Sequence, residues 1–490
     1  MLRIGLVLEC LLGGRSRGWA CVGAGVAVLP SLYMWAFTVD DALIAVRYAQ
    51  NLAHGFGWRF NAPGGVSSDG VTSLVWPLIL LPWAHGPALS VLARAKVMGL
   101  IVWAATGAGL GLAIGRVRPG HWVIKIAALF TLALSVPVAA YAVSGMETPM
   151  ATALATWAAI SIRRPRTAAL LAGLSALFRP EMVVWAAALT LLSTAGVRRN
   201  RRGAYFVSLA LSLAPFLASA LVRAVLWGRP YPLAVLAKPG SLDQGFPYVG
   251  AACIVTLLPL AACAPVSLFR DRSALAIALA AVAHGLTVAL VGGDWMPFAR
   301  LMVPVVPSLA MAIVLSARRA TCWSTVARFV VAMSIGSFML ARGGAELGRH
   351  VGGDRAALIA SAKPWLAEVA SVAALDVGWV GAATGARVLD LAGLTDPDIA
   401  ALPGGHTSKR VDSMFLLRAG VEALLVYAPR GLPGGSLSRW PEVECSRVVE
   451  ARLVRDPVIA LHFGALAWLP LGSSGAGYVF LKRDLRTDSH

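Results

Sequence analysis

The sequence predicts a polytopic α-helical membrane protein with about eleven transmembrane helices and a C-terminal extracytoplasmic α/β domain. Of the 490 residues, 58% are hydrophobic and only 14% are charged, whereas average globular chains are roughly 25% charged. Apolar runs of about 16–25 residues, long enough for membrane-spanning helices, recur up to residue 341 between short basic clusters. We therefore divide the chain into a transmembrane domain, residues 1–341, and an α/β domain, residues 342–490.

The charge distribution favours a membrane and argues against nucleic acid as a partner. The formal net charge is +19, and residues 1–341 carry 27 of the 43 Lys and Arg but only 9 of the 24 Asp and Glu. Basic residues concentrated in short loops set the orientation of membrane helices. No nucleic-acid recognition motif accompanies the charge. The predicted location is thus a membrane that the chain crosses several times.

Basic clusters predict which loops are cytoplasmic, and so which turns face outward. The clusters are Arg15/Arg17, Arg116/Arg118, Arg163/Arg164/Arg166, Arg198/Arg199/Arg201/Arg202, Arg270/Arg272 and Arg318/Arg319. The outer turns are then residues 38–70, 144–148, 179–181, 228–248 and 292–300, and residues 342–490 lie outside. About twelve segments are apolar enough to cross, but an inside start and an outside end require an odd number. We predict that one of the twelve does not cross, which leaves eleven crossings. The weakest candidates are 71–84 and 167–178.

Acidic side chains gather in these outer turns. Seven of the nine acids before residue 342 fall there, namely Asp40, Asp41, Asp69, Glu147, Glu181, Asp243 and Asp294. The orientation rule concerns Lys and Arg and says little about acids, so the cluster indicates a site on the outer face. The outer turns also hold cations against the orientation bias, which could bind an anionic lipid headgroup. Among these, Lys238 and Arg300 lie between turn residues close to an apolar segment.

The C-terminal region reads as helices and strands in alternation, which predicts a sheet with helices packed on it. The segments "SVAALDV", "RVLDLAG", "EALLVYAP" and "GYVFLK" have the apolar pattern of strands, and "SKRVDSMFLLRAG" that of an amphipathic helix. No nucleotide-binding or hydrolase motif occurs in a suitable context. The six cysteines are scattered, with neither a disulfide framework nor a zinc spacing.

The adjacent pair Asp40 and Asp41 follows a long apolar segment and opens the loop 38–70. A carboxylate just outside a membrane can act as a general base on an acceptor hydroxyl. Two adjacent carboxylates point in different directions, so they are suited to two roles. The alternative is an N-cap role for Asp41, since a helical pattern follows it; capping explains one aspartate and not both.

The loop sequence resembles the first outer loop of the GT-C superfamily of polyprenyl-phosphate-sugar glycosyltransferases. More closely, it is similar to the terminal β-(1→2)-arabinofuranosyltransferase family of actinobacteria and its bacterial relatives. These proteins carry an Asp-Asp pair, an R-Y-A-x-N-L segment, a glycine-rich turn and an acidic-Gly-x-Thr element. The matching residues here are Asp40 and Asp41, "RYAQNL" from Arg47, "HGFGWRFN" from His54, and "DGVTS" from Asp69.

Further blocks match the same family in order, and the resemblance extends over nearly the whole chain. They are "SGMETPM" with Glu147, "FRPEM" with Arg179, "YPLAVLAKPG" with Lys238, "GGDWMPFARLMVPVVP" with Asp294 and Arg300, and "VLDLAGLTDPDIA" in the C-terminal domain. The chain departs from the family pattern at Gly65, where an acid is usual, and in lacking the Asn-Thr pair before Lys238.

The resemblance implies an inverting glycosyltransferase on the extracytoplasmic face. A polyprenyl-phosphate-linked sugar, arabinofuranose or a related pentose or hexose, is the donor, and a glycan, glycolipid or glycoprotein is the acceptor. Asp40 or Asp41 is the base, and Lys238 and Arg300 hold the donor phosphate. The substrate pocket is formed by Arg47, His54, Asp69, Glu147, Arg179 and Asp294. Several carboxylates could bind a divalent metal, but Lys and Arg can meet the phosphate alone, so we predict no metal and no cofactor.

A polytopic transporter or lipid-linked-sugar flippase is the alternative from another class. It would need ionisable residues buried in mid-membrane or inverted repeats. The acids lie at predicted helix ends and no internal repeat is evident. A scaffold subunit would leave the ordered polar blocks unexplained.

Overall fold

The structure, a computed structural model, describes residues 16–117, 122–194, 202–316, 322–342 and 344–484. Seven arginines of the predicted cytoplasmic clusters lie outside the described residues, namely Arg15, Arg118, Arg198, Arg199, Arg201, Arg318 and Arg319. Contacts divide the chain into two compact units. We call them the helical unit, from the described parts of residues 1–38, 95–221 and 240–349, and the mixed unit, from those of 39–94, 222–239 and 350–490.

Helices make up most of the described residues. Before residue 345 they span Ser16–Tyr33, Asp40–Ala53, Val75–Leu80, Ala88–Arg116, Trp122–Ala133, Val136–Ala142, Thr148–Ile160, Pro165–Phe178, Met182–Thr194, Arg202–Trp227, Leu233–Ala237, Leu242–Ala252, Leu258–Cys263, Arg272–Leu290, Val306–Ser316 and Cys322–Arg342. After it they span Ala345–Leu366, Val377–Ala383, Pro397–Ala400, Ser413–Arg418, Val448–Val454 and Pro457–His462.

Among the described residues, five helices are long and apolar enough to cross a membrane, or six if the pair Trp122–Ala133 and Val136–Ala142, bent by 62°, counts as one crossing. Where consecutive helices are counted as one crossing, the five ranges are Ala88–Arg116, Gly203–Trp227, Leu242–Cys263, Arg272–Leu290 and Val326–Leu366. Three apolar helices are shorter: Pro165–Phe178, Met182–Thr194 and Val303–Ser316. The membrane location and the eleven crossings stay predictions.

The two segments expected to be weakest as crossings are indeed short. Within 71–84 the longest helix is Val75–Leu80, of six residues, and it spans about 9 Å at 1.5 Å per residue. The helix Pro165–Phe178 has 14 residues and spans about 21 Å. Both fall below the roughly 30 Å of a bilayer's hydrocarbon core.

The C-terminal residues form a five-stranded sheet within the described part of the chain, in the order β2-β1-β3-β5-β4. The strands are β1 Ser371–Ala374, β2 Arg387–Asp390, β3 Ala423–Ala428, β4 Phe463–Pro470 and β5 Gly477–Arg483. Strands β2, β1 and β3 are parallel, and β5 pairs antiparallel with both β3 and β4. The four predicted strands are confirmed, and the structure contains a fifth strand, β4, that the sequence analysis did not predict. The helix predicted from "SKRVDSMFLLRAG" is confirmed at Ser413–Arg418.

The strands differ in burial according to their position in the sheet. In the central strand β3, five of six residues are buried, as expected for a strand covered on both faces. In the edge strand β4, buried and more exposed residues interchange and a bulge lies between Ala465 and Ala467. An edge strand of this kind gives a weaker sequence signal than a continuous apolar run.

Candidate functional site

Asp40 and Asp41 are the first two residues of the helix Asp40–Ala53. Val39 takes the N-cap position without a side-chain hydrogen bond, so the alternative of Asp41 as the N-cap is wrong. Both carboxylates lie in the first turn, where the helix dipole favours negative charge. Asp40 is 4% exposed, whereas Asp41 is half-buried. Successive residues on a helix diverge by about 100°, so the two carboxylates point in different directions.

The carboxylate of Asp40 binds the N-terminus of another helix in the mixed unit, Val377–Ala383. The backbone N–H of Gly378 donates to Oδ2 at 2.7 Å and that of Trp379 donates to Oδ1 at 2.9 Å. Arg355 Nε lies 3.7 Å from Oδ1. Residue 378 must be glycine for this approach, because a Cβ there would meet the backbone of Asp40 and lie 2.7 Å from Oδ2.

The strand order explains why an anion binds here. The helix Val377–Ala383 follows β1, and β1 lies between β2 and β3, which are both parallel to it. In open parallel sheets, ligands bind outside the carboxyl ends of the strands where the strand order reverses, often at a helix N-terminus. In this protein the side chain of Asp40 occupies that position. The α/β fold thus fixes the first residue of the Asp-Asp pair.

A buried polar network surrounds Asp376, the N-cap residue of the same helix Val377–Ala383. Asp376 Oδ2 accepts a hydrogen bond from Tyr478 Oη at 2.5 Å and pairs with Arg447 Nη2 at 2.6 Å. Arg447 Nη1 also lies 3.4 Å from Glu450 Oε1. The rings of Trp379 and Tyr478 are 5.0 Å apart. Sequence reasoning missed these residues; the one available signal was an acid, Asp376, directly after an apolar strand.

Burial changes the titration of two carboxyl groups in this region. The pKa of Asp40 is raised to about 7, chiefly by burial and to a smaller extent by the carboxylate of Asp376, while Arg355 and the two N–H groups act to lower it. Burial also raises the pKa of Glu450 to about 7, although Arg447 opposes the shift. Asp40 therefore titrates near neutral pH while remaining enclosed by its hydrogen-bond donors.

Arg47 joins the Asp-Asp helix to the same C-terminal elements. Its Nε donates to Phe60 O at 2.7 Å, and Nη1 donates to Gly381 O at 2.8 Å and to Thr384 O at 3.2 Å. Nη2 donates to Ala386 O at 3.3 Å. The guanidinium thus binds carbonyl groups at the C-terminal end of the helix Val377–Ala383, which is the end that favours a cation. This geometry favours a structural role, and contact with substrate stays a prediction.

His54 and Asp69 also make contacts within the mixed unit. His54 is exposed, and its Nδ1 lies 2.7 Å from Gln50 O at the end of the helix Asp40–Ala53. Asp69 is fully buried between two arginines: Arg223 Nε donates to Oδ2 at 2.8 Å, and Arg229 Nη2 binds Oδ1. Arg223 also donates to Thr72 O at 2.7 Å. Both oxygens of Asp69 are therefore engaged in fixing the loop.

Lys238 is the C-cap residue of the short helix Leu233–Ala237 and is half-buried. This helix is tied to the C-terminal domain through Lys409, whose side chain is almost fully enclosed. Lys409 Nζ donates to Ala400 O at 2.7 Å, to Leu402 O at 2.9 Å and to Leu236 O at 3.3 Å. The mixed unit thus anchors the segment that carries Lys238 as well as the one that carries Asp41.

The helical unit contains a separate cluster of buried charges. Arg179 Nη1 lies 3.3 Å from Glu147 Oε1, and Arg179 Nε lies 3.4 Å from Glu181 Oε1. Arg300 Nη2 lies 2.6 Å from Asp294 Oδ2, and Arg300 Nη1 is 3.5 Å from the sulfur of Met146, the neighbour of Glu147. The structure thus brings together four predicted site residues of the helical unit, Glu147, Arg179, Asp294 and Arg300.

The charged residues of this cluster lie at chain reversals. Glu147 is the N-cap residue of the helix Thr148–Ile160, and Arg179 is the C-cap residue of Pro165–Phe178. Asp294 follows the helix Arg272–Leu290. Among the described residues, no group of three or more His, Cys, Asp or Glu side chains is arranged to hold a metal ion. The absence of a metal or cofactor stays a prediction.

Comparison with known proteins gives one match. A family model described as a domain of unknown function (DUF8728) matches residues 351–468, which lie in the C-terminal part of the mixed unit. No curated protein matches the chain. No solved structure matches it.

Proposed function

We propose that the protein is an inverting glycosyltransferase of the GT-C type. It moves a sugar, arabinofuranose or a related pentose or hexose, from polyprenyl phosphate to a glycan, glycolipid or protein acceptor of the cell envelope. The proposal includes eleven crossings of a bacterial inner membrane, with loop 38–70 and residues 342–490 on the extracytoplasmic side. It rests on the ordered family motifs in the sequence and on the geometry of the Asp-Asp pair.

The observation that carries the proposal is the division between Asp40 and Asp41. Asp40 is enclosed, and both of its oxygens accept backbone N–H groups. Its neighbour Asp41 leaves the same helix turn in another direction and is half-buried. A base must reach the hydroxyl whose proton it takes, at about 2.6–3.2 Å. We therefore assign Asp41 as the general base and Asp40 as a positioning residue.

In the proposed reaction, Asp41 takes the proton from an acceptor hydroxyl as its oxygen attacks the anomeric carbon. The bond between that carbon and the phosphate oxygen breaks on the opposite face, which inverts the configuration. The leaving group is polyprenyl phosphate, and a cation stabilises the charge that develops on it. Lys238, on a segment anchored through Lys409, is the candidate cation of the mixed unit. The same role for Arg300 rests on the family resemblance.

The purified protein tests the proposal directly. Wild type should transfer labelled sugar from a synthetic polyprenyl-phosphate pentose, and Asp41→Asn should lower the rate by about 100- to 10,000-fold, the contribution of a general base. The matched control is Asp243→Asn, an exposed acid in a predicted outer turn that the site does not use. Full activity of Asp41→Asn with intact folding would remove the base assignment.

A transporter remains the second candidate because the helical unit buries charged groups, as transport pathways do. The ion pairs Arg179–Glu147 and Arg300–Asp294 are both almost fully enclosed. These residues lie at helix ends and in turns, whereas a transport site is formed near the bilayer midplane. Uptake or flipping of a lipid-linked sugar by the protein in vesicles, without transfer to an acceptor, would favour this alternative.

A further inference from the structure

A polar pocket with a volume of about 500 Å³ lies within the mixed unit, and its lining includes none of Asp40, Asp41, Lys238 and Arg300. One wall is the turn from Phe60 to Val66, which follows the glycine-rich motif, and the other is formed by residues 385–387 and 395–398. Pro63, Gly64 and Arg387 are exposed, so the mouth faces solvent. Small-molecule sites generally have volumes of about 300–1,000 Å³. The pocket is therefore large enough for one or two sugar rings.

The first wall is held to the sheet by Asn61, whose side chain makes two hydrogen bonds to the sheet backbone of the kind that a neighbouring strand would make. Asn61 Nδ2 donates to Val388 O at 2.9 Å, and Val388 N donates to Asn61 Oδ1 at 2.9 Å. Val388 lies in β2, which is an edge strand with one paired side. Arg59 Nε also donates to Gly65 O at 2.8 Å. These contacts fix a turn that would otherwise sample many conformations.

The second wall is held by a buried carboxylate. Asp390, at the end of β2, accepts hydrogen bonds from Ala392 N at 2.8 Å, Gly393 N at 3.1 Å and Thr395 N at 2.7 Å. Thr395 Oγ1 donates to it at 2.9 Å. Ser68 Oγ in turn donates to Thr395 O at 2.8 Å. Both walls are thus formed before a ligand arrives, which lowers the ordering cost of binding.

The charged groups on the pocket favour a neutral ligand with many hydroxyls. Arg387 supplies several donors, while Asp396 and Asp398 supply carboxylate acceptors. Asp396 is the N-cap residue of the helix Pro397–Ala400. Its Oδ1 accepts hydrogen bonds from the N–H groups of Asp398 and Ile399, so the cap does not use Oδ2. One cation beside two carboxylates disfavours a phosphate or an acidic sugar. The apolar residues Pro63 and Val66 can contact the C–H face of a sugar ring.

We propose that this pocket binds a neutral oligosaccharide, as an acceptor subsite of the protein. Hydroxyl groups of the sugar donate to Asp396 and Asp398 and accept from Arg387. The acceptor role rests on the proposed function, whereas the binding of a neutral glycan does not. The subsite would hold the part of the acceptor chain that does not react.

The experiment measures binding of two probes, a linear arabinotriose and a linear mannotriose, to the purified full-length protein by calorimetry and by saturation-transfer NMR. No donor is added, so the result does not depend on turnover. Wild type should bind at least one trisaccharide with a dissociation constant of about 1 mM or tighter. Arg387→Gln and Asp398→Asn should each weaken binding about tenfold, the usual effect of removing a hydrogen bond to a charged group. The control Arg430→Gln changes another exposed arginine, paired with Glu444, and should bind as wild type does.

Three results would overturn the proposal: no binding of either trisaccharide by wild type, binding by both pocket variants as tight as that of wild type, or binding of inorganic phosphate at this pocket in place of the sugars. Failure of the glycosyltransferase assignment has a different signature. In that case the trisaccharide binds and the pocket variants lose it, but no sugar leaves polyprenyl phosphate. The glycan site would then stand without its role as an acceptor subsite.

Discussion

The carboxylate of Asp40 lies 2.7 Å from the backbone nitrogen of Gly378, a residue 338 positions later in the chain. The first acid of the Asp-Asp pair is thereby part of the C-terminal fold. With Asp40 held by two N–H groups and by Arg355, the direction in which Asp41 leaves the helix is also fixed. The α/β domain is thus a support of the proposed catalytic residue.

The raised pKa of Asp40 predicts how stability depends on pH. Its pKa is about 7 in the folded protein, above the ordinary value of 3.8, so the folded state holds this proton more tightly. The contribution of Asp40 to stability is therefore complete below about pH 4 and is lost as pH rises through 7. We expect the stability of wild type relative to Asp40→Asn to decrease between pH 5 and pH 8.

Thermal unfolding of both proteins in the same detergent measures this effect. The matched control is Asp243→Asn, which changes an exposed acid and should show a constant difference from wild type over the same range. If the stability of wild type relative to Asp40→Asn stays constant or increases as pH rises, the assignment of the raised pKa is contradicted.

Asp69→Asn should destabilise the mixed unit. The substitution removes the negative charge between Arg223 and Arg229, and Arg223 is buried. Leaving a buried charge without its partner costs about 3–5 kcal/mol. The unfolding midpoint should therefore fall clearly, whereas Arg430→Gln, at an exposed ion pair with Glu444, should leave it unchanged. An unchanged midpoint for Asp69→Asn would show that Asp69 has no structural role in this loop.

Lys238→Ala and Arg300→Ala separate donor binding from folding. If both cations hold the donor phosphate, each substitution should raise the KM for a polyprenyl-phosphate sugar about tenfold and leave the KM for the acceptor unchanged. Arg300→Ala should in addition lower the unfolding midpoint, because Asp294 loses a partner at 2.6 Å. Unchanged donor KM values in both variants would remove the phosphate-binding role.

Cysteine labelling tests the predicted orientation in intact cells. Val66 is 70% exposed in loop 38–70, and Arg163 is exposed in a predicted cytoplasmic cluster. With the native cysteines replaced, Val66→Cys should react with a membrane-impermeant maleimide added outside the inner membrane. Arg163→Cys should react only after the membrane is opened. The reverse pattern would place loop 38–70 in the cytoplasm and exclude the proposed reaction with an extracytoplasmic acceptor.

The sequence was sufficient for those parts of the fold that depend on local pattern. Strands such as Ala423–Ala428 are continuous apolar runs bounded by turn residues, and the structure confirms them. The edge strand Phe463–Pro470 was missed because its pattern is interrupted by a bulge. Long apolar helices such as Ala88–Arg116 stand out from composition, whereas the number of crossings depends on short helices such as Met182–Thr194.

The site was less accessible to sequence reasoning because its contacts join distant segments. The pairing of Arg223 with Asp69 links residues 154 positions apart, and no spacing rule predicts it. The motifs did indicate that Glu147, Arg179, Asp294 and Arg300 matter, and these four lie together in the helical unit. Arg47 shows the limit of that approach, since its donors bind backbone carbonyl groups.

The central claim is that Asp41 activates an acceptor hydroxyl which displaces polyprenyl phosphate from a sugar. The most direct measurement follows both products from one reaction: purified protein, a synthetic polyprenyl-phosphate pentose and an envelope glycan acceptor. We predict that polyprenyl phosphate and the new glycosidic bond form in equal amounts, with inverted anomeric configuration by NMR, and that Asp41→Asn stops both. Retained configuration, or equal rates in wild type and Asp41→Asn, would contradict the account.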